Sequence, residues 1–589
     1  MRERIDNEGK LASRNFGSVV DTAETLLLYR YLRHPLTESS ESMLVGLLER
    51  YKDSGSYYIS PGLEQGRFDA ICHVYLALSW WRDYLKNIHS PLASEIQSTI
   101  NSINLHLCSF INNKYIFDTT RNLTRFWACY RGLASWDTFP PVARELFGFS
   151  FSRRLLKNIL SPWMLLAMEV MALVMRNKKL SHSSHISIRS QFDWVIFKSF
   201  QSLIPQFEER ANAYLSQSIP NQQNSDGSFF GVSQMTTYGL MGLKEIGFSS
   251  NCSEILKGIE FLGTLQHEQN GYLVQDPFVG PIWETAHGLL SLNLDEDFDI
   301  VNSMLNYLLD EQTASGGWSY QEKNPNYPDC DDTALALIAI IRHRSKIPTA
   351  TFENSLKKGL AWILNMQNKD GSWAAWSKNQ FAKSHGHYSI AETGFFKHAI
   401  ANDFGSADIT GHVLMALGMA GYTLDNVVIK KALNYLRREQ LPFGGFWGRW
   451  GVNYLYGTSR VLRGLKSIKF KSEDGLVQSA LRFLLDSQNS DGGFGEDSES
   501  YFDIGLAGRG KSSVLQTAWV IQGLLDWLPY QHPSIKQGLK FLQEKNGIPV
   551  SAEFCGVSMP PLLFAYEDLS SWIVLEVFER YENLTESGK

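Results

Sequence analysis

The feature that most constrains this chain is an internal repeat that begins near Tyr214. Its unit is an aromatic–Leu pair closing a helix, a Gln four or five residues later and then a Gly-x-aromatic turn. Clear copies are FLGTLQHEQNGY at Phe261, YLLDEQTASGGW at Tyr307, WILNMQNKDGSW at Trp362, YLRREQLPFGGFW at Tyr435 and FLLDSQNSDGGF at Phe483. YLSQSIPNQQNSDGSF at Tyr214 is looser, and FLQEKNG at Phe541 is degenerate. The repeated residues Gln266, Gln312, Gln367, Gln440 and Gln488 are separated by 46, 55, 73 and 48 positions. A step of about 50 residues holds two helices and two turns. The longest step implies an insertion, supplied by the non-repetitive stretch 377–405, of the kind that often lines a site. Helix pairs that stack side by side and close on themselves make a toroid with an inner and an outer ring. Gly permits the sharp reversal at each turn, and the Gln amide suits backbone groups left open at a helix end.

The rest of the chain agrees with an all-α fold. Helical periodicity runs over Val19 to Leu32, Ala70 to Leu85, Ile96 to Asn112 and Phe126 to Leu133, whereas residues 1–15 are polar and read as loosely ordered. A length of 589 residues exceeds what one core usually serves, so two large helical domains are expected. The most apolar segment is Ile159 to Met175, opened by Ser161 as N-cap and Pro162 at the first helical position. Glu169 within it favours a buried helix over a membrane span. The basic residues on either side (Arg153, Arg154 and Lys157; Arg176, Lys178 and Lys179) also fit a helix that dips into a membrane face, so both readings stand. A net charge of -6 gives no electrostatic footprint for nucleic acid. Six scattered cysteines without a CxxC pair suggest neither a disulfide framework nor a zinc site and fit a reducing cytosol. The N-terminus MRERIDNEGK lacks the apolar core of a secretory signal.

The chemistry is concentrated at YQEKNPNYPDCDDTALALIAII, starting at Tyr320. Asp329, Asp331 and Asp332 occupy three of four positions at the start of an apolar helix. One carboxylate there would serve as a cap. Three repel one another, which raises the pKa of at least one and couples their titration. A carboxylic acid kept neutral at pH 7 is able to donate a proton, and such groups cluster at functional sites.

The repeat resembles the QW motif of triterpene cyclases, and NPNYPDCDDTA resembles the DxDDTA signature of squalene-hopene cyclase and its bacterial relatives. Further matches follow in the same order: SWDTFP at Ser135, SPW at Ser161, GPIWETA at Gly280, DITGHVL at Asp408 and GRWGVNYLYGT at Gly448. The resemblance implies two α-barrel domains, a catalytic barrel from residues 1–15 with 281–589 and an inserted barrel from residues 16–280. It also implies a class II terpene cyclase, which protonates a terminal alkene or epoxide of a linear polyprenyl substrate and lets the cation drive polycyclisation.

On that resemblance Asp331 is the acid, Asp329 and Asp332 are its flanking carboxylates, and His412 bonds to the acid. Asp408 supports His412, Arg449 balances Asp408, Tyr456 helps relay a new proton from water, and Glu24 matches a carboxylate near the acid. Trp163, Trp283, Tyr320, Trp376 and Trp450 match cavity aromatics, which stabilise a carbocation through their π faces without offering a nucleophile. Two positions depart from the pattern: Met559 and Leu563 stand where the family has phenylalanines beside the later cations, with Phe564 taking the second place if the match slips by one. Trp376 stands where Tyr is common. These departures imply fewer rings than hopene. The family further implies no metal and no cofactor, peripheral monotopic attachment to a membrane from the cytoplasm, and admits a homodimer. Three other classes share part of the pattern. A class II prenyl-diphosphate cyclase of the diterpene type needs a diphosphate and Mg2+ site, for which DEDFD at Asp295 is the acidic candidate. A protein prenyltransferase subunit needs a zinc trio, and a non-catalytic lipid-binding toroid has no use for the Asp triplet with His412.

Overall fold

The computed structural model describes the chain except residues 1–4, 7, 12–17, 55–56, 58–66, 112–121, 135, 137–143, 176–204, 293–297, 323, 380–402, 502, 546–565, 567 and 588–589. The fold is all-α, with one short antiparallel hairpin among the described residues, Gln266–Gln269 with Tyr272–Gln275. Two compact units are present. One is built on Gly17–Phe278, the other on Val279–His387 and Asn402–Lys589 together with Met1–Phe16.

The second unit is a barrel of two concentric helical layers. Six helices, Pro281–Ser291, Cys330–Arg342, Ala407–Met419, Tyr454–Ser467, Val514–Trp527 and Leu569–Ser587, pack each on the next, and the last packs on the first. Such inner helices have neighbours on every side, so their sequences need no polar face. Every residue of Pro281–Ser291 and every residue from Tyr454 to Leu465 is buried. The outer helices instead bury one stripe: Ser355, Gly359 and Ile363 in Thr349–Asn365, and Ile429, Ala432, Tyr435 and Leu436 in Val427–Glu439.

The repeated glutamines share one geometry. Gln312 Nε2 donates to its own turn's Gly316 carbonyl at 2.8 Å and to the Ser355 carbonyl of the next outer helix at 2.9 Å. Gln488 does the same with Gly492 and Ser534 at 2.8 and 2.9 Å, and Gln367 and Gln440 follow suit. Each amide thus ties the end of one outer helix to the next. In the first unit it is Gln223, in the looser copy, that makes this pair of bonds, to Gly227 and Glu254. Gln266, in what reads as a clear copy, does not. It opens the hairpin, and its amide lies 3.3 Å from Gln275 Oε1.

A second bond sets where each inner helix begins. The hydroxyl of Thr333 accepts the backbone N–H of Trp318 at 2.9 Å, and Thr410, Thr458 and Thr517 accept those of Trp373, Phe446 and Phe494. Thr285 of the first inner helix receives the N–H of Leu11 at 3.0 Å. The N-terminal segment, expected to be loosely ordered, therefore completes the barrel. Its described residues form a turn closed by the Ile5–Leu11 bridge, and Gly9, at φ 83°, lies so close to Ser303 of the neighbouring outer helix that a Cβ would sit 2.2 Å from its carbonyl carbon.

In the first unit the Pro162–Met175 helix begins as its sequence predicts, with Ser161 Oγ accepting the Met164 N–H at 3.3 Å. Its residues from Leu166 to Met175 are all buried, which settles this helix as core and removes it as a membrane-dipping element. Glu169 lies inside, accepting from Tyr214, Ser218 and Gln222 at 3.1, 3.0 and 2.8 Å. Burial pushes its carboxyl up despite these three donors. Among the described residues no helix is long and apolar enough to cross a membrane.

The turn glycines provide a test. Gly371 has φ 101°, and a Cβ there would lie 2.1 Å from the Lys431 carbonyl oxygen, whereas Gly421 has φ 93° with open space around it. Gly421→Ala should cost about 1 kcal/mol for the left-handed backbone alone, and Gly371→Ala should exceed it by about 1–3 kcal/mol because the outer helix must shift as well. Equal losses in denaturant unfolding would show that the turn does not clamp the two helices.

Candidate active site

Asp329 joins the Trp318 backbone at 2.9 Å and N-caps the Cys330–Arg342 helix, its Oδ1 accepting the Asp332 N–H at 2.8 Å. Asp331 and Asp332 follow in the first turn. All three are buried, and Asp331 is the most open at 8%, against 3% and 5% for Asp329 and Asp332. Burial pushes the Asp329 and Asp332 carboxyls above the ordinary carboxylate range, and the charge of Asp329 adds to the rise at Asp332. Side by side, such groups hold protons that the pair shares rather than ionising independently.

His412 comes from the next inner helix, with Nδ1 2.6 Å from Asp331 Oδ1. The Ala407–Met419 and Tyr454–Ser467 helices touch backbone to backbone: a Cβ at Gly464 would meet the Gly411 carbonyl oxygen at 2.4 Å. This contact brings the Tyr456 ring to 6.3 Å from the His412 ring, edge on, while its other side rests 4.6 Å from Trp519. Trp283, Asp331, Asp408 and Tyr456 each stand two positions before the threonine that fixes their helix's start, so four candidates occupy one level of the barrel.

Arg449 is placed differently from expectation. Its guanidinium pairs with Asp403 at 3.1 Å rather than with Asp408, whose Oδ2 instead accepts the backbone N–H groups of Arg449 and Trp450, both at 2.8 Å. The Asp408 carboxylate is filled by these backbone donors, and the guanidinium finds its counter-ion in Asp403. Asp403 also receives the N–H groups of Ala375, Trp376 and Ser377 at 3.2, 2.6 and 2.6 Å. Nothing in the sequence marked it, because it lies in the stretch without repeat character. Two buried carboxylates therefore carry the backbone of two aromatic walls, Asp403 that of Trp376 and Asp408 that of Trp450.

Those walls meet. Trp376 stands edge-on to Trp450 at 5.5 Å and to Tyr320 at 6.4 Å. Trp283 lies 4.5 Å from His287 and 5.5 Å from Tyr566. Trp163 and Glu24 belong to the first unit, where Trp163 packs 6.4 Å from Phe230 and Glu24 is buried. Met559, Leu563, Phe564 and Asp295 lie outside the described residues. Among the described residues no group of three or more His, Cys, Asp or Glu is arranged to hold a metal ion.

An acidic helix start bonded to a histidine, inside a closed ring of buried helices that also carries edge-on indoles, is an arrangement suited to acid chemistry. Residues 279–583 match the family model described as the squalene-hopene cyclase C-terminal domain, and the chain belongs to that family of class II terpene cyclases, which are enzymes. It is 25% identical over 621 residues to a squalene–hopene cyclase of Bradyrhizobium diazoefficiens, covering 95% of this chain and 90% of that protein. It is 27% identical over 571 residues to that of Alicyclobacillus acidocaldarius subsp. acidocaldarius, covering 90% and 86%. The ent-copalyl diphosphate synthase from Streptomyces platensis shares the fold, with a TM-score of 0.54 at 15% identity over 97% of this chain and 96% of that one.

Proposed function

We propose that Asp331 hands its proton to the terminal alkene, or an epoxide, of a linear polyprenyl substrate and that the cation so formed closes rings along the folded chain. The observation that carries this reading is the 2.6 Å contact between Asp331 and His412 beside two carboxyls that burial pushes above the ordinary carboxylate range. An alkene is a very weak base, so its donor must be a neutral carboxyl whose other oxygen is already engaged. On an alkene the proton forms a C–H bond with the π pair and the neighbouring carbon becomes a tertiary cation, on an epoxide it forms an O–H bond as the C–O bond breaks, and the carboxylate remains on Asp331. The last cation is discharged by loss of a proton or by capture of water with loss of one of its protons. Asp329 and Asp332 share the negative charge, His412 and Tyr456 return a proton from water, and Asp408, Asp403 and Arg449 hold the surrounding backbone. Tyr320, Trp376, Trp450 and Trp283 offer π faces, each contributing about 0.5–2 kcal/mol to a desolvated cation.

The number of rings follows from the far end of the cavity. By the resemblance Met559 and Leu563 take the places of two phenylalanines and neither side chain has a negative π face, while Tyr566, 5.5 Å from Trp283, is an aromatic near them in sequence. Each missing ring removes about 1–2 kcal/mol, and about 1.4 kcal/mol is a tenfold change in partitioning between further cyclisation and termination. The product thus carries fewer rings than hopene, from a polyprene shorter than squalene or one that ends in an aryl or other polar head.

A water-insoluble substrate calls for delivery from a membrane. Support comes from the Ser150–Ile159 helix, on which Phe151 is 77% and Leu155 46% exposed, one turn apart, with Arg153, Arg154 and Lys157 on the same short helix. Such a helix suits the interfacial plane of an anionic leaflet.

Three experiments follow. Asp331→Asn should abolish cyclisation, assayed by mass detection of isomeric products from squalene, farnesylated and geranylgeranylated phenols and prenyl diphosphates, while helical circular dichroism is unchanged; turnover by the folded variant removes Asp331 as the donor. Phe at positions 559 and 563 should raise the share of more cyclised products by about tenfold or more, and clean conversion of squalene to a pentacycle by the wild-type enzyme would overturn the ring-number reading. Replacing Phe151 and Leu155 together with Asp should release the enzyme from anionic liposomes in co-sedimentation, and an unaltered bound fraction rules this helix out as the contact.

A further inference from the structure

Behind Tyr456 the barrel holds a second polar constellation that none of the roles above uses. Arg460 follows Tyr456 by one helical turn and is 1% exposed. Its guanidinium carbon lies 5.3 Å from the centre of the Tyr456 ring, and its Nη2 donates to Gln522 Oε1 at 2.5 Å. Gln522 Nε2 donates in turn to Glu576 Oε2 at 2.8 Å, while Arg463 Nη2 takes the other oxygen of Glu576 at 2.7 Å. Deeper along the same helices Arg580 and Asp526 are bonded at 2.5 Å. The Arg460 carbonyl also abuts Gly411, the residue before His412, where an added Cβ would lie 2.6 Å away.

The charges do not cancel. Glu576 is taken by Arg463 and Asp526 by Arg580, which leaves Arg460 with a neutral amide, a distant hydroxyl on Ser459 at 3.5 Å and the face of a tyrosine. Its Nε has no hydrogen-bond partner among the described residues. The cation is real: burial and the neighbouring Arg463 lower Arg460 only to about 10. Burial opposes the charge on Glu576, but Arg463 and Arg580 hold that carboxyl down at about 2, so it stays ionised and paired. His287 on the first inner helix is brought down to about 3 by burial and is neutral. The charged and titratable groups whose fields reach Arg460 are Arg463 and Tyr456 on its own helix, Glu576 on the last inner helix, Asp331 on the second and His287 on the first. A buried guanidinium without its own counter-ion is costly unless an anion forms within its field.

We propose that Arg460 is a positioning residue of the acid site: its buried positive charge, held by Gln522 and Glu576 behind Tyr456 and His412, steadies the carboxylate left on Asp331 after proton donation and so strengthens the acid. This rests on Asp331 being the proton donor. Through a protein interior a unit charge at roughly 10 Å alters a proton equilibrium by about tenfold. The sign is determinate. Removing the cation makes the carboxylate less stable, so the carboxylic acid persists to higher pH while giving up its proton more slowly.

The test is the pH–rate profile of the full-length enzyme with squalene or a geranylgeranylated phenol as probe. Arg460→Met should lower the maximal kcat about tenfold and move the alkaline limb upward by about one pH unit, and Arg460→Lys should restore both. Glu576→Gln, which removes an anion and leaves Arg460 in place, should move the limb downward, and it serves if Arg460→Met does not fold. An unshifted limb in a folded Arg460→Met enzyme, or a lysine variant no better than the methionine one, overturns the proposal. Activity in Asp331→Asn would instead overturn the assignment of the donor beneath it.

Discussion

The bond on which the rest of the barrel depends is the one between a threonine hydroxyl in the first turn of an inner helix and the backbone N–H at the preceding turn. It recurs at Thr285, Thr333, Thr410, Thr458 and Thr517. Because an α-helix rises a fixed ~1.5 Å per residue, fixing its start fixes the height of every side chain that follows. Residues at equal distance from their threonines therefore come to equal height around the ring, as Trp283, Asp331, Asp408 and Tyr456 do. The site is assembled by register rather than by a loop folded for the purpose. The glutamine bonds act one layer out, linking successive outer helices so that the ring closes with its inner helices in step.

Register also settles the electrostatics. Every inner helix starts at the same rim, so the positive ends of their dipoles converge there, where anionic side chains are favoured. Burial works against ionisation at the same place, and for Asp329 and Asp332 it prevails. Asp408 shows the same balance with more donors: it accepts from Ile409, Arg449 and Trp450, yet burial still raises its carboxyl. A strong but protonated acid needs this opposition. Burial raises the cost of ionising a carboxyl, and donors poised for the anion lower it.

Much of this was legible in the sequence because it is periodic or local. The repeat announced the helix pairs, and the crowded acids at 329, 331 and 332 announced a site. His412 was placed by the motif that resembles the family's, and the structure puts it against Asp331. What stayed hidden depends on where long side chains reach across helices. Arg449 pairs with Asp403 because the Asp408 carboxylate is filled by backbone donors, and no spacing encodes that. Arg460, Gln522 and Glu576 are far apart in the chain and become neighbours only when the ring closes. The N-terminal turn was missed because Ile5 stands where the other turns carry Gln, so that DNEGKL kept the glycine but lost the amide that makes the pattern visible. Gln266 misled for the opposite reason, since its segment has the letters of a repeat turn while the chain there pairs as a hairpin.

The distribution of polar groups around the acid matters as much as their identity. A tertiary cation is trapped by any accessible lone pair, so a site for one must either exclude nucleophiles or occupy them. The walls ordered by Asp403 and Asp408 carry the indoles of Trp376 and Trp450, and an indole N–H donates but offers no lone pair for attack. The carboxylates that hold those walls are engaged, Asp403 by Arg449 and three backbone N–H groups and Asp408 by three. Using these two side-chain anions to order backbone, and aromatic faces to line the walls, places charge beside an apolar reaction with both carboxylates occupied. Replacing Asp403 by an apolar residue would therefore do more than loosen a turn, since it would take the counter-ion from Arg449 and the acceptor from three backbone N–H groups, and replacing Asp408 would take the acceptor from three more; either change would draw water toward the donors and bring in the lone pair that the indole walls keep out.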